Sequence, residues 1–236
     1  VLDRRFMVVY DGGRFLTQRQ VPKMALVRPT VMQTELLIEA PGMERIKVAL
    51  SGEGAGKVRI QVWSHSGEAE FAGDDPANWF SRYLGRSCRL VRWDEDHVRL
   101  CDPAYARFES QVAFADGFPV LLISEASLED LNSRMEKRLS MNRFRPNIVV
   151  AECTPYAEDG WKQIRIGEVL FDVVKPCDRC VITTVDQMSG DVGKEPLKTL
   201  ATYRRRGTAV SFGQNCIHHA PGMIRVGDEV EVTERA

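Results

Sequence analysis

Residues Lys175-Pro176-Cys177-Asp178-Arg179-Cys180 bring thiols, cations and a carboxylate together in one short stretch. A thiol near a guanidinium or ammonium group has its thiolate favoured, and a thiolate is both a nucleophile and a ligand for a soft metal. Cys180, with Arg179 beside it and Lys175 close by, is the first residue to explain. Cysteines at a strand junction also occur as small buried hydrophobes, and residue type alone leaves that reading open. The C-x-x-C pair is half of a zinc site, yet no second C-x-x-C or H-x-x-x-H follows to complete a tetrahedron. The C-x₄-C-x₂-C spacing of a plant-type iron–sulfur cluster is absent as well. The chain's 6 cysteines are scattered without the density of a disulfide framework, which fits a reducing compartment.

Other polar groups carry weaker signals. Arg143-Phe144-Arg145-Pro146-Asn147 sets two arginines at a proline-fixed bend, which suits an anion and equally an ordinary surface loop. The glycines of 52–56 do not open a helix after a strand, so they read as a loop rather than a phosphate cradle. Trp79 and Tyr83 recur at helical spacing and read as core. His218 and His219 adjoin a strand end and point to opposite faces, so they read as surface histidines rather than joint metal ligands.

The elements that must hold these groups are mostly strands. Apolar runs at 169–174 and 181–185 are expected as strands on either side of the cysteine hexapeptide, the first forming a hairpin about Gly167. Residues 6–10 and 14–17 flank Asp11-Gly12-Gly13 as a second hairpin. Further strands are expected at 24–28, 35–39, 46–50, 58–62, 88–93, 118–123, 148–151, 210–218 and 224–232. Helices are expected from Asp74 to Leu84, from Ser127 with Leu128, Leu131, Met135 and Leu139 on its apolar face, and over 195–203. Residues 94–110 read as a loop over a surface or pocket. Many strands, few helices and no βαβ alternation predict a mainly β, α+β chain: a β-barrel with peripheral helices, a β-rich unit over 1–100 and a second domain over 101–236.

Composition narrows the partners. With 32 Lys and Arg against 33 Asp and Glu in 236 residues, there is no basic field to draw the chain onto a nucleic acid polymer or anionic lipid. No run approaches the roughly 20 apolar residues of a membrane span, and the first residues do not form a secretory signal, so a cytoplasmic location is expected.

Seven segments in order extend the pattern around Cys180: Thr17-Gln18-Arg19-Gln20, Phe114-Ala115-Asp116-Gly117-Phe118-Pro119, Ser124-Glu125-Ala126-Ser127-Leu128, Phe144-Arg145-Pro146-Asn147, the run from Val174 to Cys180, Glu195-Pro196-Leu197-Lys198-Thr199-Leu200, and Phe212-Gly213-Gln214-Asn215. Together they resemble the MOSC family, in the branch of the mitochondrial amidoxime-reducing component and its bacterial YcbX-type relatives. The resemblance implies a MOSC-type barrel binding a molybdenum cofactor, Mo-molybdopterin, with Cys180 as the protein thiolate on the metal. It places Arg19 at the terminal phosphate, and Asp116, Gly117, Phe118, Arg145, Asn147, Asp178, Arg179 and Asn215 around the pterin. Position 215 is Tyr in mammalian members and Asn in bacterial ones. At family level the resemblance also carries pyridoxal phosphate binding. In the family a Pro-Val-Lys-Ser strand comes before the part that matches Val1, and many bacterial relatives continue into a ferredoxin-like domain, so the resemblance leads us to expect a chain read without that first strand and without that domain.

The implied activity is reduction of small N-hydroxylated compounds, such as amidoximes, hydroxylamines and N-hydroxylated bases, a detoxifying chemistry in which the cofactor carries the electrons. Those electrons are expected from an external donor, a ferredoxin-like or cytochrome b5-like protein with its reductase. The alternative is a non-catalytic carrier of the cofactor or of sulfur, with a persulfide on Cys180. A purely structural barrel would instead purify without metal.

Overall fold

The computed structural model describes residues 3–51 and 55–236, so positions 52–54 of the expected glycine loop lie outside the described residues. The chain is mainly β, with a curled half-barrel sheet and short helices. It divides into two compact units that interleave in sequence. The first comprises Val1–Arg99, Ala113–Asp116 and Val185–Val192; the second comprises Leu100–Val112, Gly117–Thr184 and Gly193–Ala236.

In the first unit β1 (Phe6–Tyr10), β5 (Lys57–Val62), β6 (His65–Phe71) and β7 (Cys88–Arg92) form an antiparallel sheet in the order β1-β7-β6-β5. β2 (Arg28–Val31), β3 (Glu35–Glu39) and β4 (Ile46–Ala49) form a second. Adjacent residues of a strand face opposite sides. Val8 accordingly packs with Trp79, Tyr83 and Leu84 of helix α1 (Asp74–Leu84), while Val9 packs with Ile60, Val62 and Val91 on the other face. Burying each such side chain contributes about 1.5–3 kcal/mol, so Trp79 and Tyr83 serve the core, as their spacing predicts.

Three details depart from the sequence reading. The chain does turn back at Gly13, where φ is +82, but the returning arm makes only an isolated bridge from Phe15 to Val9. The full partner of β1 is β7, paired from Phe6↔Arg92 to Tyr10↔Cys88. The strand expected at 24–28 is mostly a 3-10 turn, Pro22–Leu26, because Pro22 opens a helical turn and the Met24 amide donates back to the Val21 carbonyl at 3.0 Å. β6 has no counterpart among the expected strands. Its Glu68 and Glu70 break the apolar alternation, and Glu70 is held by an ion pair to Arg92 on β7.

The second unit is built on seven strands: β8 (Val120–Ser124), β9 (Ile148–Val150), β10 (Trp161–Ile166), β11 (Val169–Asp178), β12 (Arg205–Arg206), β13 (Ala209–His218) and β14 (Val230–Arg235). The order is β14-β10-β11-β13-β8-β9, with β12 pairing β13 at the side. All pairings are antiparallel except β8 with β9, which run parallel across helix α2 (Glu125–Ser133). That crossover is a βαβ unit, which the sequence reading did not expect. α2 begins two residues before Ser127 because Ser124 is the cap, its hydroxyl accepting from the Ser127 amide at 3.0 Å. It ends before Met135 and Leu139. The Asn132 side chain binds both the amide and the carbonyl of Leu139, so the chain folds back instead of continuing the helix.

The last expected helix shrinks to α3 (Leu197–Leu200), and the last strand begins at Val230 instead of 224. Of the two histidines, His219 is exposed, stacked edge-on against Phe108 at 4.7 Å with Nε2 3.0 Å from Asp172 Oδ1. His218 is partly buried rather than at the surface. Its Nδ1 is enclosed without a partner, and burial lowers its pKa.

Candidate functional site

In the second unit the cysteine hexapeptide is not a loop between two strands. β11 runs on through Lys175, Pro176, Cys177 and Asp178, with Lys175↔Asn215 and Pro176↔Gln214 paired across to β13. Register irregularities fall between Val173 and Lys175 and between Pro176 and Asp178, which is how a strand accommodates a proline that cannot donate to the ladder. After Asp178 the Arg179 amide donates to the Val210 carbonyl at 2.7 Å, and Val181–Thr184 coils into a 3-10 turn. This replaces the expected strand at 181–185. The Thr183 hydroxyl donates to the Cys180 carbonyl at 2.9 Å and the Thr184 hydroxyl to the Val181 carbonyl at 2.8 Å, local bonds that compete with a sheet ladder. Cys180 therefore stands past the end of a long strand, partly exposed, at the start of a closed turn.

The cations do not sit where their order in the chain led us to expect. The Arg179 guanidinium donates through Nη1 to Cys177 Sγ at 2.9 Å and through Nη2 to the Phe144 carbonyl at 2.7 Å, lying 5.6 Å over the Phe144 ring. Cys177, rather than Cys180, receives its N–H. Its Nε is buried with no partner. Lys175 Nζ lies 4.9 Å over the Tyr105 ring, and Tyr105 meets Phe118 edge-on at 6.0 Å. Residues 94–110 thus bring Tyr105 against the strand that carries the thiols.

The remaining residues of this unit divide into exposed groups and groups committed to the backbone. Arg145 is exposed and holds φ +55, a left-handed conformation uncommon outside glycine, asparagine and aspartate. Asn147 accepts from the Leu121 amide through Oδ1 at 2.9 Å, while its own amide donates to the Leu121 carbonyl at 2.8 Å, joining β8 to the entry of β9. Asp178 accepts from the Ser211 hydroxyl at 2.9 Å. Asn215 reaches the Pro176 carbonyl at 3.5 Å, the limit of a hydrogen bond. Gly117 and Phe118 lead into β8 and are partly buried. Gly213, at φ +81 beside Asn215, admits no side chain, since a Cβ would lie 2.6 Å from Ile123 and 2.8 Å from the Leu122 carbonyl. A cleft of about 800 Å³ beside α2, lined by Glu125, Glu129, Asn132, Arg138, Leu139 and Glu152 among others, contains none of these residues and no thiol. Its size does not make it the chemical site.

In the first unit Arg19 and Asp116 come together around a residue that the sequence reading passed over. The Arg19 guanidinium lies 4.8 Å over the Trp63 ring, with Nη2 3.8 Å from Asp116 Oδ2, and Trp63 Nε1–H points to Asp116 Oδ1 at 3.3 Å. A second missed residue is Arg99, buried, which donates to the carbonyls of Ala113, Ala115 and Asp116 at 2.6–2.8 Å and so fixes the segment that presents Asp116. The available signals were a tryptophan just after a strand-like run and an arginine within the loop expected to lie over a surface or pocket.

The residues fit an anionic, sulfur-ligated metal group by their chemistry. A partly exposed thiol can supply a soft ligand, Arg179 keeps a buried N–H without an acceptor, and Arg145 adds a second cation on an exposed residue. Among the described residues no group of three or more His, Cys, Asp or Glu side chains could hold a metal by itself, so a metal at Cys180 needs ligands from an organic group.

Comparison with known proteins agrees along nearly the whole chain. The MOSC domain model matches residues 109–231, and the MOSC N-terminal beta barrel domain model matches residues 1–87. The mitochondrial amidoxime reducing component 2 of Rattus norvegicus is 38% identical over 246 residues, covering 98% of this chain and 73% of the relative. Mitochondrial amidoxime-reducing component 1 of Homo sapiens is 36% identical, covering 97% of this chain and 72% of the relative. The molybdenum cofactor sulfurase of Oryza sativa subsp. japonica is 36% identical over 89% of this chain, which spans 28% of that protein. With both family models matched and near-complete alignment to such relatives, this chain belongs to the MOSC domain family.

Proposed function

We propose that the chain is a molybdenum-cofactor-dependent oxidoreductase that reduces N-hydroxylated compounds, with Cys180 as the protein ligand to the metal. The observation that carries this reading is the near-full-length similarity to amidoxime-reducing components, in a chain whose Cys180 thiol stands partly exposed past the end of β11. When bound, the cofactor would supply the two electrons that, together with two protons, convert an N–OH to an N–H with release of water. The chain's own residues bind and orient. Cys180 donates thiolate charge, Arg179 and Arg145 offer guanidinium N–H groups to pterin or phosphate oxygens, and Asp178 and Asn147 stand at the ends of the strands that position them. Arg19 is assigned to the phosphate and Asp116 to the pterin. Electrons come from a separate protein, ferredoxin-like or cytochrome b5-like, a reading supported by the similarity to amidoxime-reducing components.

The contact from Arg179 to Cys177 favours a second reading, a carrier that holds the cofactor or a sulfur atom and passes it on, in keeping with the similarity to a cofactor sulfurase. One experiment separates them: molybdenum content by elemental analysis alongside dye-driven benzamidoxime reduction, for the wild type, Cys180→Ala and Cys177→Ala. Reduction by the wild type, abolished in Cys180→Ala and substantially kept in Cys177→Ala, is the expected result. Metal without turnover selects the carrier. Loss in Cys177→Ala with activity kept in Cys180→Ala inverts the ligand assignment, and no metal in the wild type removes the proposal.

A further inference from the structure

Trp63 is costly where it stands. It occupies the first of the two positions joining β5 to β6, between the paired residues Val62 and His65, and holds φ +56. Two-residue hairpins that need positive φ at that position take glycine, and a bulky side chain there is strained. Its indole is also 46% exposed, although a large apolar ring is usually withdrawn from water. Strain and exposure together imply that the side chain is kept for what it touches. Phe15 fixes the ring edge-on at 5.0 Å, the Arg19 guanidinium lies over the ring at 4.8 Å, and the indole N–H reaches Asp116 Oδ1 at 3.3 Å.

Resting on the assignment of Arg19 to the cofactor's phosphate, we propose that Trp63 is a positioning residue for that contact: the indole holds the Arg19 guanidinium flat for a phosphate-type anion and draws the Asp116 carboxylate aside by its N–H. A guanidinium held over an aromatic face keeps its N–H edge free to point outward, which suits bidentate donation to a tetrahedral oxyanion. The backbone beneath is set by the same logic. The Thr17 hydroxyl accepts from the Arg19 amide at 3.1 Å and donates to Gln20 Oε1 at 2.6 Å, so the turn presenting Arg19 is fixed before the side chain stacks. Asp116 Oδ2, 3.8 Å from the guanidinium, is a loose partner for an exposed carboxylate, and an incoming phosphate competes with it directly.

The test is calorimetric titration of the full chain, freed of cofactor, with inorganic phosphate, together with thermal midpoints and retained molybdenum after dialysis of the loaded protein. Trp63→Phe keeps a weaker stacking face and should stay near wild type. Trp63→Gly relieves the turn, so its midpoint should hold or rise, while phosphate affinity and retained molybdenum fall about 3- to 10-fold, the range expected for one lost cation–π contact. A merely structural Trp63 cannot give that opposite pair. If Trp63→Gly binds phosphate as wild type does while Arg19→Ala does not, Trp63 is only a hairpin tip and the inference is overturned. No phosphate binding by the wild type, or undiminished binding by Arg19→Ala, overturns it as well. In either of those cases, intact molybdenum loading and amidoxime reduction leave the proposed function standing, whereas absent molybdenum in the wild type removes that function by itself.

Discussion

Two arginines of the second unit, Arg179 and Arg204, are similar in chemistry and both partly buried, yet they are partnered in opposite ways. Arg204 makes two contacts to Asp159, at 2.7 and 3.0 Å, lies 4.3 Å over the Tyr156 ring, and shares Asp159 with the Gln214 amide at 2.6 Å. Next to it Tyr156 and Tyr203 share a hydroxyl contact at 2.7 Å, and Tyr156 donates to Asp130. Each of these groups finds its partner within the chain. Arg179 instead spends one N–H on a thiol and one on a carbonyl and leaves Nε buried and unpaired. A network closed on itself holds the fold; a buried donor left over beside the Cys177 thiol still lacks an acceptor.

The largest expected effect breaks the closed side of this comparison. Arg204→Ala leaves Asp159 with the Gln214 amide and a looser ion pair to Arg206 at 3.7 Å, and losing the charged hydrogen bonds of this partly buried pair costs about 1.5–3 kcal/mol. Chemical denaturation should show that loss, with molybdenum per folded molecule unchanged. If stability holds and molybdenum falls, Arg204 belongs with the site and the distinction fails. On the open side, Arg179→Gln should cost only about 1 kcal/mol of stability, the scale of one or two net hydrogen bonds, while retained molybdenum drops at least several-fold. Full molybdenum retention with a large stability loss would make Arg179 a second structural arginine.

The same contrast explains what could be read from sequence. β3, β5, β7 and β8 were legible because apolar residues alternate or run together in them, and α1 because its aromatics recur at helical spacing. Partners across space were not legible. Arg179 adjoins both Cys180 and Asp178 in sequence, but the extension of β11 through Pro176 turns its guanidinium onto Cys177. Val181-Ile182-Thr183-Thr184 has strand composition, yet its threonine hydroxyls donate to the carbonyls of Cys180 and Val181, three residues back, and close a turn. The segments around Cys180 and Arg19 identified the family because they are local strings. Trp63 and Arg99 escaped because their roles exist only once a hairpin tip and a loop have been folded against Arg19 and Asp116.

The smallest effect tests whether an unpaired buried atom always marks a ligand site. His218, at the end of β13 and opposite Phe171 on β11, also has such an atom, Nδ1, but no thiol or arginine contacts it through any observed hydrogen bond. The physical consequence there is acid sensitivity. Burial disfavours the charged ring and lowers its pKa in the folded state, whereas the unfolded chain takes up a proton at the ordinary histidine value of about 6.5. Below that value the unfolded state binds more protons than the folded one, so the stabilising contribution is complete above pH 6.5 and is lost as pH falls toward the lowered folded value. The ring is only partly buried, so the loss is well short of a full buried charge. Thermal midpoints of the wild type should therefore fall between pH 7.5 and pH 5 more steeply than those of His218→Phe, which cannot take up the proton and fills the same space with an apolar ring. Parallel curves would show that His218 is solvated as a charged group in the folded state, and a buried unpaired nitrogen would then be no guide to where this fold is sensitive to protons.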